Sequence, residues 1–369
     1  MFAIRSVDTV VVDLPIRRRH RIGVGVMTRQ SSVVVQVHTR DGVTGLGEAV
    51  VPGGGPEWGG ESVETMKAVI DLYLAPALCA APMSGVNDAV ARLDRASAHN
   101  RFAKAALEMA LWDIVGKVHG CPVSELFGGL VRDRLPVLWS VGADTERAAD
   151  EIADRVAAGH RMVKFMMAHP SPAEDAARIL GLLREVPEDV VVVVDPNGRW
   201  DESAARRWLP RLAEAGVDIA EQPLPAWNLD GMARIRASSG MRVMADEAVA
   251  SVHDAVAVSR RRSADLFSVK VPKSGGLAAA NGIAAVARAA GIGCYGGGTM
   301  ETSIGTSAAA QLFGTWPVVH GCDLIGPLLM TDDVVVEPVS YENGDLVVPR
   351  GPGLGVELDE QKLRKYARE

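Results

Sequence analysis

Paired cysteines are the first thing missing. The chain has four, Cys79, Cys121, Cys294 and Cys322, and no two fall at the spacing of a disulfide framework or a zinc site. In 369 residues that pattern reads as reduced thiols. Long apolar runs are missing as well: none approaches ~18 residues, so no helix is expected to span a membrane. The N-terminus alternates polar and apolar residues without the apolar stretch of a signal peptide. Positive charge is in deficit, and a formal net charge of −7 argues against nucleic acid or an anionic membrane as main partner. The expectation is a soluble, cytoplasmic protein acting on a small molecule. Two basic runs, Arg17–Arg18–Arg19–His20–Arg21 and Arg260–Arg261–Arg262, read as solvated faces. The first could also draw in an anionic substrate.

What is present divides into two patterns. Residues 2–14 and 31–39 are Val-rich with period-two alternation, and Asp41-Gly42 marks a turn before a short strand ending at Glu48. A Gly/Pro-rich loop, VPGGGPEWGG, follows, and helical patterns fill about 61–78, 84–98 and 101–119. From about 135, short apolar runs at 135–140, 161–166, 190–195, 217–221, 242–246, 266–271 and 291–296 alternate with helical segments such as 145–158, 202–215 and 276–290. Alternating βα units predict a parallel sheet, and seven or eight of them predict a closed barrel of roughly 200–250 residues. After about 330 the β-like segments VVVEPV and DLVVP are expected to rejoin the N-terminal domain.

Chemistry concentrates at the ends of the barrel strands. Asp195, Glu221, Asp246 and Lys270 each close an apolar run, at intervals of 26, 25 and 24 positions (195 to 221 to 246 to 270). That interval is one strand plus one returning helix, so all four belong on the rim where the βα loops of a barrel open. A single acid at such a place is as readily the N-cap of the next helix. Three on successive strands would repel one another strongly unless a cation sat between them. All-oxygen ligands favour Mg²⁺ or Mn²⁺ over zinc. Lys270 should face the barrel mouth, and beside a divalent cation its pKa should fall from ~10.4 toward a range useful for proton transfer.

The stretches DGVTGLGEA, RFAKAALEMALWDIVGK, PVSELFGG, VDPNGRWDE, EQPL, ADE, VKVPKSGG, GGTMETSIGT, GPLLMTDD and PGLGVELDE cover nearly the whole chain. Through them it resembles the muconate lactonizing enzyme subgroup of the enolase superfamily. The resemblance implies an α/β fold: a (β/α)7β barrel over 131–328, with an α+β capping domain from 1–130 and a C-terminal segment, 329–369, returning to it. It implies metal ligation by Asp195, Glu221 and Asp246, proton transfer by Lys270, and a glutamate beside the substrate at Glu301. Asn197 and Thr299 join the substrate-contacting set. Capping loops at about 17–29 and 50–61 would close over a dicarboxylate, with His20, Ile22 and Met27 as candidate contacts; for His20 a solvent-exposed position stands beside that reading. A homo-oligomer, often an octamer, is also implied, as is a role in aromatic catabolism.

One position departs from the family. Where the second barrel strand usually carries Lys-x-Lys, this chain has Lys164-Phe165-Met166. Residues two apart in a strand share a face, so Lys164 and Met166 point into the barrel and Phe165 toward the helices. A methionine alone reads as filler, but here it stands where the family keeps an acid/base. Racemisation and epimerisation need a proton donor on each face, whereas cycloisomerisation of a muconate to a muconolactone needs one. Lys270 is then the expected donor, with anti addition, and Lys164 is expected to act electrostatically or, if it bends, to supply the proton itself. Another one-base lyase, such as an o-succinylbenzoate synthase, and a non-catalytic homologue that only binds metal and carboxylate remain as alternatives.

Overall fold

The computed structural model describes residues 3–23, 25–142, 147–317 and 319–368. Residue 2 of the first expected strand, residue 24 of the first capping loop and residues 145–146 of an expected helix lie outside these.

The Val-rich N-terminal runs form an antiparallel sheet of β1 (Ile4–Ile22), β2 (Gly25–Thr39) and β3 (Thr44–Val50), in the order β1-β2-β3. Helices Val63–Val69, Val86–Ala96 and Arg101–His119 pack on it. Gly45 and Gly47, on one face of β3, let that strand lie against helix Arg101–His119. A Cβ at either position would overlap a backbone carbonyl of Ala110 or Ala106, which is why DGVTGLGEA needs its glycines.

The basic run 17–21 is not in a loop. After an irregularity between Pro15 and His20, the β1–β2 ladder resumes with His20 opposite Met27 and Ile22 opposite Gly25. Strand alternation puts Arg18, His20 and Ile22 on one face. That face lies against the barrel, so His20 is buried, 3% exposed, and not in solvent.

A short strand, β4 (Arg134–Pro136), precedes seven parallel strands: β5 (Trp139–Val141), β6 (Met162–Met166), β7 (Val191–Asp195), β8 (Ile219–Glu221), β9 (Arg242–Ala245), β10 (Leu266–Val269) and β11 (Gly293–Gly296). They pair strictly in sequence from β5 to β11. Cys322 closes the ring, bridging in parallel to Val137 beside the first strand and to Gly296 of the last. Inside, Leu138, Met162, Val193, Ile219, Met244, Leu266 and Tyr295 form a separate apolar plug; outside, Phe165 and its neighbours pack against the helices. The plug fills the base of the barrel and leaves polar side chains at the other end.

The C-terminal tail returns by a different route from the one expected. In the segment DLVVP, β13 (Asp345–Val347) pairs with β4 at the foot of the barrel and with β12 (Tyr341–Glu342), because Leu346 is buried in the barrel-side core. Contact with β1 is made at Met330, which bridges Ile16, and at the far end, where Ala367 bridges Val12 and Arg368 pairs with Asp13 at 2.6 Å. The four cysteines are free thiols. Among the described residues no helix is long and apolar enough to cross a membrane.

Candidate active site

Asp195 ends β7, Glu221 ends β8 and Asp246 follows β9 by one residue, so three adjacent hydrogen-bonded strands deliver three carboxylates to one rim. All three are buried. Their orientation is built from the loops. Asn197 donates its backbone N–H to Asp195 Oδ1 at 2.8 Å and its side-chain amide to Oδ2 at 3.2 Å. Gln222, at a strained φ of 33°, accepts from the backbone N–H groups of Asp246 and Ala248 and so shapes the loop carrying Asp246.

Each carboxylate stands against an ammonium group. Lys164 bridges Asp195 at 3.7 Å and Glu221 at 3.3 Å, and binds Asp323 more closely, at 2.5 Å. Asp246 takes Lys270 at 2.7 Å and Lys273 at 2.6 Å. Burial, then the neighbouring Glu221, pushes the Asp195 carboxyl well above its usual range. Burial also raises Glu221, with Lys164 opposing it. For Asp246 burial is overcome by Lys270 and Lys273, which hold it at about 2.

The expected lowering of Lys270 is not what these neighbours impose. Burial disfavours its charge, but Asp246 and Glu221 outweigh burial and hold the ammonium above its ordinary pKa. Lys164 is likewise held well above, against burial, by Asp323, Glu221 and Asp195.

Above the carboxylates a cavity of about 60 Å³ lies between barrel and cap. Lys164, Met166, Asp195, Asn197, Lys270 and Thr299 line it from the barrel; His20, Ile22 and Met27 line it from the hairpin. Nine of the twelve residues singled out in the sequence therefore meet at one surface. Glu221 and Asp246 sit immediately behind, through Lys164 and Lys270. Glu301 is a layer further back, buried, accepting from the N–H and hydroxyl of Thr299 at 2.9 and 2.8 Å.

Met166 is 3% exposed and shares its strand face with Lys164, as alternation requires. Gly23 at the hairpin tip donates its N–H to Asn197 Oδ1 at 2.9 Å, tying the lid to the residue that orients Asp195.

Other residues at the site escape a sequence reading. Trp58 lies 4.3 Å under the Lys270 ammonium and donates to Glu247 at 3.0 Å. Asp323 follows Cys322, whose isolated bridges to Val137 and Gly296 give no strand signal. Lys273, three residues after Lys270 on a short helix, was within reach of the i,i+3 rule.

The donor set suits a hard divalent cation: three buried carboxylates, oxygen only, on neighbouring strands. As they stand, ammonium groups occupy them, and among the described residues no three acids lie close enough to cage an ion. To ligate one, Asp195 and Glu221 would exchange Lys164 for it, and Asp323 offers Lys164 a place to remain.

Residues 4–128 match the family model for the mandelate racemase / muconate lactonizing enzyme N-terminal domain, and residues 147–362 match that for the enolase C-terminal domain-like family. The chain is 39% identical over 369 residues to muconate cycloisomerase 1 of Rhodococcus opacus, covering 99% of each protein. It is 41% identical over 362 residues to a chloromuconate cycloisomerase of Cupriavidus pinatubonensis, covering 97% of each. Among solved structures, the 2-chloromuconate cycloisomerase of Rhodococcus opacus 1CP is 46% identical and superimposes with a TM-score of 0.97 over all of both chains. Sequence, fold and rim geometry agree: the chain belongs to the enolase superfamily, in its muconate lactonizing enzyme subgroup.

Proposed function

We propose that the protein is a divalent-metal-dependent cycloisomerase that converts cis,cis-muconate or a substituted muconate to the muconolactone, with Lys270 as its single proton donor. The observation that carries this reading is the contrast across the cavity, where Lys270 faces in from β10 and Met166 takes the place of an acid/base on β6. The named relatives act on muconate or chloromuconate, which supports the substrate class.

A Mg²⁺ or Mn²⁺ ion held by Asp195, Glu221 and Asp246 would stabilise the negative charge that develops on a substrate carboxylate. The rest falls to the chain. One carboxylate oxygen of the substrate adds to the diene, forming the ring C–O bond, and the displaced electron pair moves toward the other carboxylate to give an enolate. Lys270 Nζ then gives its proton to the carbon of that enolate and is recharged from solvent. Lys164 stays charged and balances the carboxylates. Met166 excludes water and offers no proton, so a donor stands on one face only. The hairpin residues His20, Ile22 and Met27 cover the dicarboxylate.

Turnover of cis,cis-muconate in D₂O, with the deuterium located in the lactone by NMR, tests this. Anti addition is expected; a syn product would remove Lys270 from the role. No Mg²⁺-dependent loss of diene absorbance on any muconate would favour a non-catalytic metal- and carboxylate-binding protein.

A further inference from the structure

Arg18 reaches from the hairpin onto the barrel and ends in three places at once. Its Nε and Nη2 donate to Glu151 at 3.1 and 2.7 Å, and Nη2 also donates to the carbonyl of Ser140 at 2.9 Å. Its Nη1 lies 2.7 Å from His20 Nδ1. Glu151 is held in turn by the indole N–H of Trp139 at 2.7 Å. The passage is tight: a Cβ on Gly142 would come within 2.7 Å of Arg18 Nη1.

A guanidinium has donors and no acceptor. His20 Nδ1 must therefore be the accepting, unprotonated nitrogen, which leaves the ring proton on Nε2. The ring is buried and lines the cavity beside Lys164 and Ser140, and Ser140 Oγ, at 3.5 Å, is a weak partner for Nε2. Burial, Arg18 and Lys164 all oppose a second proton and hold the imidazole down at about 3, so it is neutral at working pH.

We propose that Arg18 is a positioning residue that locks His20 in its Nε2–H tautomer, so that the closed hairpin presents a neutral N–H donor to a carboxylate oxygen of the substrate. The donor role rests on the dicarboxylate reading above; the tautomer does not. A neutral donor suits this wall because Lys164 already supplies charge, and a second cation there would oppose it. Because Glu151 belongs to the barrel and Arg18 to the lid, the donor is assembled only when the two are docked.

Neutron diffraction from deuterium-exchanged crystals reads the tautomer directly: a deuteron is expected on His20 Nε2 and none on Nδ1. A deuteron on Nδ1 would overturn the lock. In kinetics, His20→Phe should lower kcat/KM roughly tenfold to hundredfold, the range for one hydrogen bond to a charged group. His20→Gln, whose amide N–H falls near the Nε2 position, should stay within about threefold of wild type. Arg18→Met should raise KM more than it lowers kcat, and its crystals should show His20 with a different or mixed tautomer. Equal losses in His20→Phe and His20→Gln, with both folded by thermal melt, would overturn the donor role. If no muconate is turned over, calorimetry with adipate in Mg²⁺ takes the place of kinetics, with the same ranking of variants expected. Absence of both turnover and adipate binding would refute the dicarboxylate reading, and the donor role with it, while the neutron map still decides the tautomer.

Discussion

Replacing Lys270 by methionine separates its chemical role from its structural one. Chemically, the loss of a positioned general acid costs about 10²–10⁴ in rate, or about 3–5 kcal/mol of barrel-mouth catalysis. Structurally, the damage is limited. Asp246 loses one ammonium at 2.7 Å and keeps Lys273 at 2.6 Å together with a hydrogen bond to Lys273 at its own carbonyl. Orphaning a buried charge costs roughly 3–5 kcal/mol, and with one partner retained the cost should fall below that range. Lys164→Met is the control, since it strips Asp195, Glu221 and Asp323 of a shared partner in one step. It should destabilise by at least roughly 3–5 kcal/mol, and Mg²⁺ should recover part of this because a cation can take over Asp195 and Glu221. The assays are diene absorbance at saturating muconate and thermal melts with and without Mg²⁺. Lys270→Met is expected to be folded and nearly inactive; Lys164→Met is expected to melt earlier and to gain more from Mg²⁺. A folded Lys270→Met enzyme retaining more than a tenth of wild-type kcat would refute the assignment and move the proton to Lys164.

Met166→Lys places a second amine on the opposite wall, and lactone formed in D₂O should then carry some syn-added deuterium; a product that stays wholly anti would show that the second face is closed for another reason. Glu48 and Glu108 cap barrel helices from the capping domain, and burial raises each from its ordinary value of 4.5 to about 7. A carboxyl raised on folding adds stability below its unfolded pKa and loses it as pH climbs through the folded one, so each should surrender up to about 3 kcal/mol between pH 4.5 and pH 8. Wild type should therefore melt higher at pH 6 than at pH 8, and Glu48→Gln should flatten that slope; an unchanged slope would exclude Glu48 as its source. Gly47→Ala should cost about 3 kcal/mol or more by overpacking β3 against helix Arg101–His119, measured by denaturant titration, with the protein insoluble or unfolded as the extreme.

Much of the site was legible because strands impose simple rules. A period of two put Lys164 and Met166 on one face with Phe165 behind, and the recurring strand-plus-helix interval put Asp195, Glu221, Asp246 and Lys270 on one rim. Those rules fail where pairing is not regular. The hairpin from 17 to 29 carries basic residues and an irregular register, so it read as loop although the ladder continues to Ile22. The eighth barrel strand is one residue, Cys322, bridged on both sides and too short for any pattern, and Asp323 carries no signal of its own beside it. Trp58 comes from a Gly/Pro-rich stretch with no periodicity, and only the folded loop brings it under Lys270. The lowering expected for Lys270 belongs to a site that holds a divalent cation, whereas the carboxylates alone raise it.

That last difference bears on which lysine gives up a proton. Lys270 owes its raised pKa to Asp246 and Glu221, and both belong to the proposed ligand set. Once those carboxylates serve a dication, their hold on Lys270 weakens and burial, which favours the neutral amine, gains weight. The cation's own charge acts in the same direction. Lys164 differs in one partner. Its closest acid is Asp323, at 2.5 Å, which follows the closing bridge of the barrel and lies outside the ligand set. On the proposed function, losing Asp195 and Glu221 to the ion would still leave that pair intact, so Lys164 would keep its proton while Lys270 would move toward the range where proton transfer is efficient. On the proposed function, a single aspartate would thus set the two cavity lysines to different tasks, and the methionine two residues beyond Lys164 puts no further amine on that strand face.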